Sequence, residues 1–280
     1  MANSMEIITS RQNKTISLLA SLQKKKAREE EKIFLFDGVK LLSEAVKCGA
    51  KIYCIVLDSS LAEAVGEKLL SLYGIDIFSL DARILYAIPQ VFERLTEEKA
   101  PEGVVTAACF MDNIHRNCPS ADSLIVGESE KILMLQSVRD PQNVGAIIRS
   151  ARAFSVDRII MSSDCADIYS AKTVRASMGN IFGIKIDLVD SIPEAISHLR
   201  AQGREVYAAA LDESARQLGR ESFAPNSVVV IGNEGHGLSA EAISAASGTV
   251  YIPMAEGVES LNAGVAAAVL MWEFFGKQDF

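Results

Sequence analysis

The sequence has few of the residues from which disulfide frameworks, metal sites and nucleotide-binding loops are built. Its five cysteines are scattered and form no C-x-x-C pair, and there are only three histidines. This usage is typical of reduced thiols and argues against disulfides and against a metal site. The chain also lacks G-x-G-x-x-G and G-x-x-x-x-G-K-S/T, so neither a dinucleotide-binding fold nor a P-loop is predicted.

Long apolar runs are also missing. The longest apolar-rich stretch, from Leu261 to Phe275, is interrupted by Asn262 and Glu273 and is shorter than the ~20 residues that cross a bilayer. The opening MANSMEIITSRQNK contains no apolar segment followed by a small-residue cleavage site, so no export signal is expected. We therefore expect a cytoplasmic protein that has no membrane partner.

The charged residues are distributed unevenly along the chain. With 28 basic and 36 acidic residues the net charge is -8, which argues against a polyanionic partner. A run without acidic residues nevertheless lies near the N-terminus, and it can hold phosphates or simply form a solvated helix face. Its basic residues are Arg11, Lys14, Lys24, Lys25, Lys26 and Arg28.

Strand-like and helix-like segments alternate along the 280 residues, which is typical of one or two α/β domains with largely parallel sheets. A helix over 10–27, capped by Ser10, is predicted first. Met111 to Glu130 has no clear periodicity and is interpreted as a linker. The predicted strands are 33–36, 52–57, 75–79, 104–110, 132–136, 158–161, 184–188, 206–210, 228–231 and 249–252.

A polar segment follows the first strand after the predicted linker. In SVRDPQNVGAIIRSARAF, Asp140 and Pro141 provide turn chemistry, and Asn143 is the expected N-cap of a helix. Helical spacing places four apolar residues on one face and Arg149 with Arg152 on another. Ligands of open α/β sheets bind beyond the C-terminal ends of the strands, where an arginine meets phosphate. The alternative is a pair of solvated surface arginines.

A glycine-rich segment follows another strand. VVVIGNEGHGL runs into a loop with Gly232, Gly235 and Gly237, which permit positive φ and close approach of a ligand. An ordinary turn between a strand and a helix explains the same pattern. His236 has no partner at metal or triad spacing and is interpreted as a loop residue.

A third segment, YIPMAEGVESLNAGVAAAVLMWEFF, joins a strand to a helix that is apolar on almost every side and is expected to be buried. Glu259, Ser260 and Asn262 bring polar groups to the start of this helix. Burial of such groups is costly unless they cap the helix or bind something. Capping of the helix by Ser260 explains only one of these three polar residues.

Together and in this order, the segments resemble the signature motifs of the SpoU family of RNA 2'-O-ribose methyltransferases, within the SPOUT superfamily. The motifs are N-x-G-x-x-x-R at 143–149, I-G-N-E-G-x-G-L at 231–238, and I-P-M with E-S-L-N at 252–262. RQNKTISLLASLQKKKAR and FLFDGVKLLSEAV are similar to an L30e-like substrate-binding domain. The predicted domains are an L30e-like α/β domain over 1–112, a linker over 113–129, and a methyltransferase α/β domain over 130–280.

The resemblance implies properties that composition and spacing do not predict. It implies S-adenosylmethionine as the cofactor, a homodimer, and a trefoil knot in the last segments of the C-terminal domain. Knots are nearly absent among protein folds in general. It further implies that Gly232, Ile252 and Leu261 contact the cofactor.

The resemblance also implies a catalytic role for Arg149. The reaction requires a sulfonium methyl group to be aligned with a ribose 2'-hydroxyl, and the hydroxyl to lose its proton. Arginine is protonated under ordinary conditions, so we expect it to position a phosphate and stabilise developing alkoxide charge. Asn143, Glu234, Ser260 and Asn262 match polar motif positions and are expected to orient the arginine, the ribose or the loops.

Two positions depart from the family pattern. Gly264 stands where many members have serine, and Ser155 replaces a glycine that is common after the first motif. Neither departure removes a proposed catalytic group. The loss of a hydroxyl at Gly264 affects the local loop packing and any contact that the hydroxyl makes.

An RNA substrate changes the interpretation of the basic run, whose six residues are then expected to contact phosphates without reading bases. Three functions remain open. Methylation of rRNA is favoured by the L30e-like domain, and methylation of tRNA uses the same chemistry. The third is a non-catalytic RNA-binding or assembly factor, against which the retained polar motif residues argue.

Overall fold

The computed structural model describes residues 7–118, 124–212, 214–220, 222–258 and 260–278. The chain forms two compact units. The first contains the residues up to Met111 together with Asp167–Phe182, and the second contains Asp112–Ala166 together with Gly183–Phe280.

The described residues up to Met111 form a five-stranded mixed sheet in the order β1-β4-β3-β5-β2. Its strands are β1 (Ile7–Ile8), β2 (Ile33–Asp37), β3 (Ile52–Asp58), β4 (Arg83–Ala87) and β5 (Val104–Cys109). β5 is antiparallel to both of its neighbours, β2 and β3. The helices are α1 (Lys14–Ser21), α2 (Lys25–Glu31), α3 (Val39–Lys47), α4 (Ala62–Tyr73) and α5 (Pro89–Phe92).

The first helical region differs from the prediction of one helix over 10–27 capped by Ser10. Asn13 is the N-cap of α1, because its Oδ1 accepts hydrogen bonds from the amides of Thr15 (2.9 Å) and Ile16 (3.3 Å). α1 then ends at Ser21, and a separate helix begins at Lys25. The chain therefore turns a corner in the middle of the predicted helix.

The strand predicted over 75–79 is wrong. Ile77–Ser79 form a turn of 3-10 helix, and the Asp76 side chain accepts a hydrogen bond from the amide of Phe78 at 2.9 Å. The alternating isoleucines at 75 and 77 imitate the period of a strand, but this local side-chain bond favours a turn. β4 is the strand of this region.

The second sheet has eight strands among the described residues, in the order β11-β13-β10-β12-β7-β8-β9-β6, and every neighbouring pair is parallel. The largely parallel sheet of the prediction is confirmed, and its six predicted strands agree with the structure within one residue. The strands are β6 (Ile114–Cys118), β7 (Ile132–Leu135), β8 (Arg158–Ser162), β9 (Lys185–Val189), β10 (Val206–Ala209), β11 (Arg216–Gln217), β12 (Val228–Ile231) and β13 (Gly248–Tyr251).

Helices α6 (Pro141–Ala153), α8 (Ile192–Ala201), α9 (Ala240–Ala245) and α10 (Ala263–Phe274) accompany this sheet, whereas α7 (Ala171–Ala176) belongs to the first unit. Burial on all sides was the expectation for α10. One face of α10 is buried as expected. Another face is partly exposed, and the exposed fractions there are 51% for Val265, 36% for Val269 and 42% for Trp272.

The predicted domain limits stay a prediction, although the compact units show two differences from them. The first part of the predicted linker, 113–129, contains β6, which pairs with β9 at the edge of the second sheet. Residues 167–182, expected in the methyltransferase domain, group with the first unit. The trefoil knot stays a prediction as well.

The strand order of the second sheet reverses its direction at β7. After β7 the chain continues through α6 to β8 on one side of β7, whereas β12 lies on its other side. Ligands of open parallel sheets bind outside the carboxyl ends of the strands at such a reversal. The segments after β7 and β12 are the first and second motifs. The described residues include no helix with the length and apolar character needed to cross a membrane.

Candidate functional site

A cavity of about 300 Å³ opens at the carboxyl ends of the second sheet. Its walls come from the segments after β10, β12 and β13 and from the first turns of α10. Gly232, Ile252 and Leu261, the three expected cofactor contacts, lie in its lining together with Glu234 and Ser260. The tertiary structure thus gathers five of the predicted positions around one cavity, while their roles stay predictions.

The loop after β12 is closed by its own hydrogen bonds. Asn233 and Gly237 exchange both backbone bonds, at 3.0 and 2.9 Å. The Asn233 Oδ1 atom also accepts bonds from the amides of Gly235 (2.9 Å) and His236 (3.2 Å). A side chain that bonds to its own backbone in this way fixes a tight turn. His236 is exposed on this loop, as expected for a loop residue.

A hydrogen-bonded chain of three side chains joins the three motifs. Asn143 donates from Nδ2 to Oε1 of Glu234 at 2.7 Å, and its Oδ1 accepts a bond from Nδ2 of Asn262 at 2.9 Å. Asn143 is only 7% exposed, so its amide depends on these partners. The first, second and third motifs are therefore held together by direct contacts beside the cavity.

Two helix caps differ from the sequence expectations. Asp140, rather than Asn143, is the N-cap of α6, since its Oδ1 accepts a bond from the amide of Gln142 at 2.8 Å. Asn262, rather than Ser260, caps α10 by accepting bonds from the amides of Gly264 (2.9 Å) and Val265 (3.3 Å). Because Asp140 performs the capping, Asn143 is available for the bonds between the motifs.

The loop after β7 supports the glycine-rich loop, and the sequence reasoning missed its residues. The Ser137 carbonyl accepts a bond from Nδ2 of Asn233 at 2.8 Å. Gln136 binds Ser239 twice, accepting from its amide at 2.9 Å and donating to its hydroxyl at 3.3 Å. Their position directly after a central parallel strand was the signal that could have identified them.

An acidic residue, Asp164, also holds the loop after β7. Asp164 accepts bonds from the hydroxyls of Ser137 (2.7 Å) and Ser162 (2.6 Å), and it pairs with Arg139 at 3.3 Å. Partial burial acts to raise the pKa of Asp164, but these bonds outweigh it, and the pKa lies below its usual value. The carboxylate is therefore the form that holds the loop.

Family models match both parts of the chain. A model described as the SpoU rRNA Methylase family matches residues 130–272, just over half of the chain. The chain belongs to the SpoU rRNA methylase family. A second model, described as an MRM3-like substrate binding domain, matches residues 13–106.

Relatives of this SpoU methylase match it over nearly its whole length. The 23S rRNA (guanosine(2553)-2'-O)-methyltransferase RlmP of Bacillus subtilis is 29% identical, covering 97% of this chain and 100% of that protein. The AdoMet-bound rRNA methyltransferase from Sinorhizobium meliloti is 27% identical with a TM-score of 0.81, covering 99% of both chains. The SpoU methyltransferase AviRb from Streptomyces viridochromogenes, solved with AdoMet, is 25% identical with a TM-score of 0.78, covering 95% of this chain and 99% of that one. The SPOUT fold implied by the resemblance is confirmed.

Arg149 lies on α6 but apart from the cavity lining. Arg149 lies six positions after Asn143, which corresponds to a rise of about 9 Å and a rotation of about 240°, so the two side chains occupy different faces. Asn143 is buried, whereas Arg149 is exposed and makes no hydrogen bond or ion pair with the described residues. The guanidinium remains available to a substrate. The apolar face predicted for this helix, formed by Val144, Ile147, Ile148 and Ala151, is buried.

The two departures from the SpoU pattern have structural consequences. Ser155 has a φ of 57°, in the left-handed region that favours glycine, which explains why glycine is common there. At Gly264, a Cβ atom would lie 3.2 Å from Oδ1 of Asn262 and 3.4 Å from Cβ of Ala146. Gly264 therefore lets α6 and α10 approach closely beside the chain of three side chains.

The basic run does not behave as one surface. Arg11, Lys14 and the three consecutive lysines at 24–26 are exposed. Arg28 is only 5% exposed and is bonded to protein groups, so its expected contact with phosphates is contradicted. Helical periodicity explains the difference, because Arg28 lies on the face of α2 that packs inward.

We predict that Gly232→Ala weakens binding of S-adenosylmethionine roughly tenfold or more, a loss of about 1.4 kcal/mol or more. A Cβ atom at Gly232 would lie 2.3 Å from the carbonyl carbon of Gly237 and 2.5 Å from the amide nitrogen of Leu238. Because these are backbone atoms, the loop has to move. Isothermal titration calorimetry measures the change.

Gly235→Ala is the matched control for this loop. Its added Cβ meets only Oδ1 of Asn233, at an ordinary 3.5 Å. The control should bind the cofactor within about twofold of the parent, given that a difference of this size is only ~0.4 kcal/mol. Equal losses of cofactor affinity in the two variants would show that the close backbone approach at Gly232 does not determine cofactor binding.

Proposed function

We propose that this chain transfers a methyl group from S-adenosylmethionine to the 2'-hydroxyl of a ribose in rRNA. The observation that carries the proposal is the chain of bonds from Glu234 through Asn143 to Asn262, which gathers the three motifs beside one cavity. Membership of the SpoU rRNA methylase family supports the same chemistry.

The residues around the cavity fit this cofactor. Ala209, Leu211, Ile231 and Met254 provide apolar walls, while the loops at Gly232 bring backbone groups to the lining. Apolar walls with a few convergent polar groups are what a small organic ligand requires. Gly232, Ile252 and Leu261 would hold the cofactor, which supplies an electrophilic methyl group on a sulfonium centre.

Arg149 would act on the RNA. Its guanidinium is exposed and unpaired among the described residues, so it can bind the phosphate next to the target ribose without first breaking a protein contact. A fixed positive charge there also stabilises the alkoxide that develops as the hydroxyl loses its proton. Asn143, Glu234, Ser260 and Asn262 would hold the loops and the ribose in register.

The choice of rRNA rests on the relatives. RlmP and a further relative from Streptomyces viridochromogenes, 29% identical over 273 residues, carry names of 23S rRNA 2'-O-methyltransferases. The substrate-binding domain matched at 13–106 would contact this RNA, with Arg11, Lys14, Lys24, Lys25 and Lys26 as phosphate contacts. We place the reaction in the cytoplasm, where an rRNA substrate is encountered.

The decisive experiment incubates the purified chain with methyl-labelled cofactor and either rRNA or tRNA, and then maps the alkali-resistant linkages. A 2'-O-methyl group prevents alkaline cleavage of the adjoining phosphodiester, so the modified site appears as a gap in the ladder. Label confined to rRNA supports the proposal, and label confined to tRNA would replace it with the tRNA reaction. Binding of RNA and cofactor without transfer would indicate a non-catalytic factor.

We also propose that the enzyme works as a homodimer, formed through the exposed face of α10. Val265, Val269 and Trp272 follow one another at helical spacing on this face, although each is more than a third exposed. A stripe of large apolar side chains on one helix is costly in water and suits an identical helix of a second copy.

Val265→Glu combined with Val269→Glu is expected to convert the dimer to a monomer, because two carboxylates would have to be buried against their copies. Sedimentation equilibrium should show the mass of one chain instead of two. Leu70→Glu with Leu72→Glu, at positions that are 58% and 61% exposed on α4, provides the control and should leave the mass unchanged. A parent chain that sediments as a monomer at micromolar concentration would refute the dimer.

A further inference from the structure

The corner between α1 and α2 is held by one buried side chain. The last carbonyl groups of a helix have no donor within that helix. At the end of α1, Nη1 of Arg28 donates to the carbonyl oxygens of Leu22 at 2.7 Å and Gln23 at 2.9 Å. Because Arg28 itself belongs to α2, these two bonds fix the angle at which the second helix leaves the first.

Arg28 is in turn anchored to a distant part of the chain. Its Nη2 lies 2.6 Å from Oδ2 of Asp167, and the two side chains are only 7% and 11% exposed. Asp167 is fixed as well, since its Oδ1 accepts a bond from the amide of Tyr169 at 3.0 Å and its carbonyl accepts one from the hydroxyl of Thr173 at 2.8 Å. These additional bonds restrict the geometry of the buried ion pair.

The fixed corner presents three consecutive exposed lysines, Lys24, Lys25 and Lys26. Lys24 and Lys25 make no ion pair with the described residues, and Lys26 has only a solvent-exposed contact with Glu30 at 3.8 Å. Exposed pairs of this kind are weak and are easily exchanged for another anion. The acidic residues 29–31 follow further along α2, so the positive charge is concentrated at the corner itself.

Two arginines extend this positive surface. The side chain of Gln23 donates to the carbonyl of Arg94 at 3.2 Å, and the guanidinium of Arg94 donates to the carbonyl of Arg11. Nε of Arg11 is bonded to the carbonyl of Gln90 at 3.1 Å. The corner, Arg11 and Arg94 are therefore connected through hydrogen bonds to backbone carbonyls.

We propose that Arg28 is a positioning residue that, together with Asp167, holds the lysine corner as a docking surface for the phosphate backbone of RNA. The inference rests on the proposed function in so far as RNA is the substrate. A pre-formed surface binds more tightly than a mobile one because less conformational freedom is lost on association. The lysines should then contribute their full affinity only while Arg28 keeps the corner in place.

A double-mutant cycle tests this dependence, with binding to transcribed 23S rRNA measured over a range of salt concentrations. Lys24→Gln with Lys25→Gln and Lys26→Gln should weaken binding about tenfold and reduce the slope of log affinity against log salt by about 2. Arg28→Lys keeps the charge but loses the fork of donors, and should weaken binding by about fivefold. In the Arg28→Lys background the triple change should cost less than about twofold.

The controls separate positioning from general damage. Lys51→Gln with Lys99→Gln and Lys172→Gln removes three exposed positive charges elsewhere and should change binding little. Asp167→Asn provides a second way to release the corner if Arg28→Lys does not fold. In transfer assays, the Lys24–Lys26 and Arg28 changes should raise KM for RNA while kcat and cofactor affinity stay constant.

Additive effects, with the triple change costing tenfold in both backgrounds, would overturn the inference, as would an unchanged affinity in the triple variant. Failure of the proposed function would give a different pattern of results from failure of the docking surface. Coupling between Arg28 and the lysines without methyl transfer by the parent would refute the enzyme but leave the docking surface. Normal transfer with KM insensitive to all these changes would leave the enzyme and refute the docking surface.

Discussion

Asn143→Asp is expected to reduce methyl transfer by two or more orders of magnitude at neutral pH. The substitution preserves shape but replaces the Nδ2 donor, 2.7 Å from Oε1 of Glu234, by a carboxylate oxygen. Two like charges then face each other at a position that is 7% exposed. A broken, partly buried polar contact of this kind costs about 1–3 kcal/mol of stability. Thermal denaturation and a transfer assay at saturating cofactor measure the two effects.

The loss should depend on pH in a defined direction. Repulsion by Glu234 raises the pKa of the introduced carboxyl above its unfolded value. Below that pKa the carboxyl carries a proton that it can donate, so the stability deficit is largest at pH 8 and shrinks towards pH 5. The parent chain should not show this recovery. A deficit that is independent of pH would show that charge repulsion is not its cause.

Glu234→Gln in the Asn143→Asp background is the matched rescue. It exchanges the positions of the amide and the carboxylate, so a hydrogen bond forms again with its direction reversed. Thermal stability and cofactor affinity should return to near the parent values. Transfer then reports separately on the Glu234 carboxylate, since a rescued fold that remains inactive assigns that carboxylate a role beyond holding the loops. Lack of any structural rescue would contradict the proposed bond between the motifs.

Arg149→Ala is expected to lower kcat by a factor of about 10² to 10³, the usual effect of removing one group that stabilises developing charge. Cofactor affinity should remain within about twofold, because Arg149 is absent from the cavity lining. Folding should also be intact, since the side chain is exposed and has no partner among the described residues. Single-turnover transfer and calorimetry separate these quantities.

Arg152→Ala is the natural control for this experiment, since Arg152 is exposed on the same helix three residues later. It should retain most of the transfer activity. Arg149→Lys tests the geometry, because lysine keeps the charge but lacks the planar fork that binds phosphate with two bonds. Full activity in Arg149→Ala would remove the arginine from the mechanism.

Much of the second sheet could be predicted because buried parallel strands consist of continuous apolar runs, and such runs are visible without a structure. Val228–Ile231 and Ile132–Leu135 are examples, and all their residues are buried. The motif residues at 143–149 and 231–238 were identified from their place after these strands, whereas Gln136 and Ser137, which follow Ile132–Leu135 directly, were missed. Which polar residue caps a helix was not predictable, because Asp140 and Asn143 are both suitable caps and only their distances to neighbouring segments distinguish them.

The order of apolar strands and polar motifs along the chain is sufficient to indicate the family and the fold class, and to select five of the positions that line the cavity. Tertiary structure alone decides which charged groups face water. Arg28 looks like its exposed lysine neighbours in the sequence, yet it is buried against Asp167, a partner 139 residues away. Local patterns describe neighbours along the chain, whereas the free energy of a buried charge depends on a partner that only folding brings into contact.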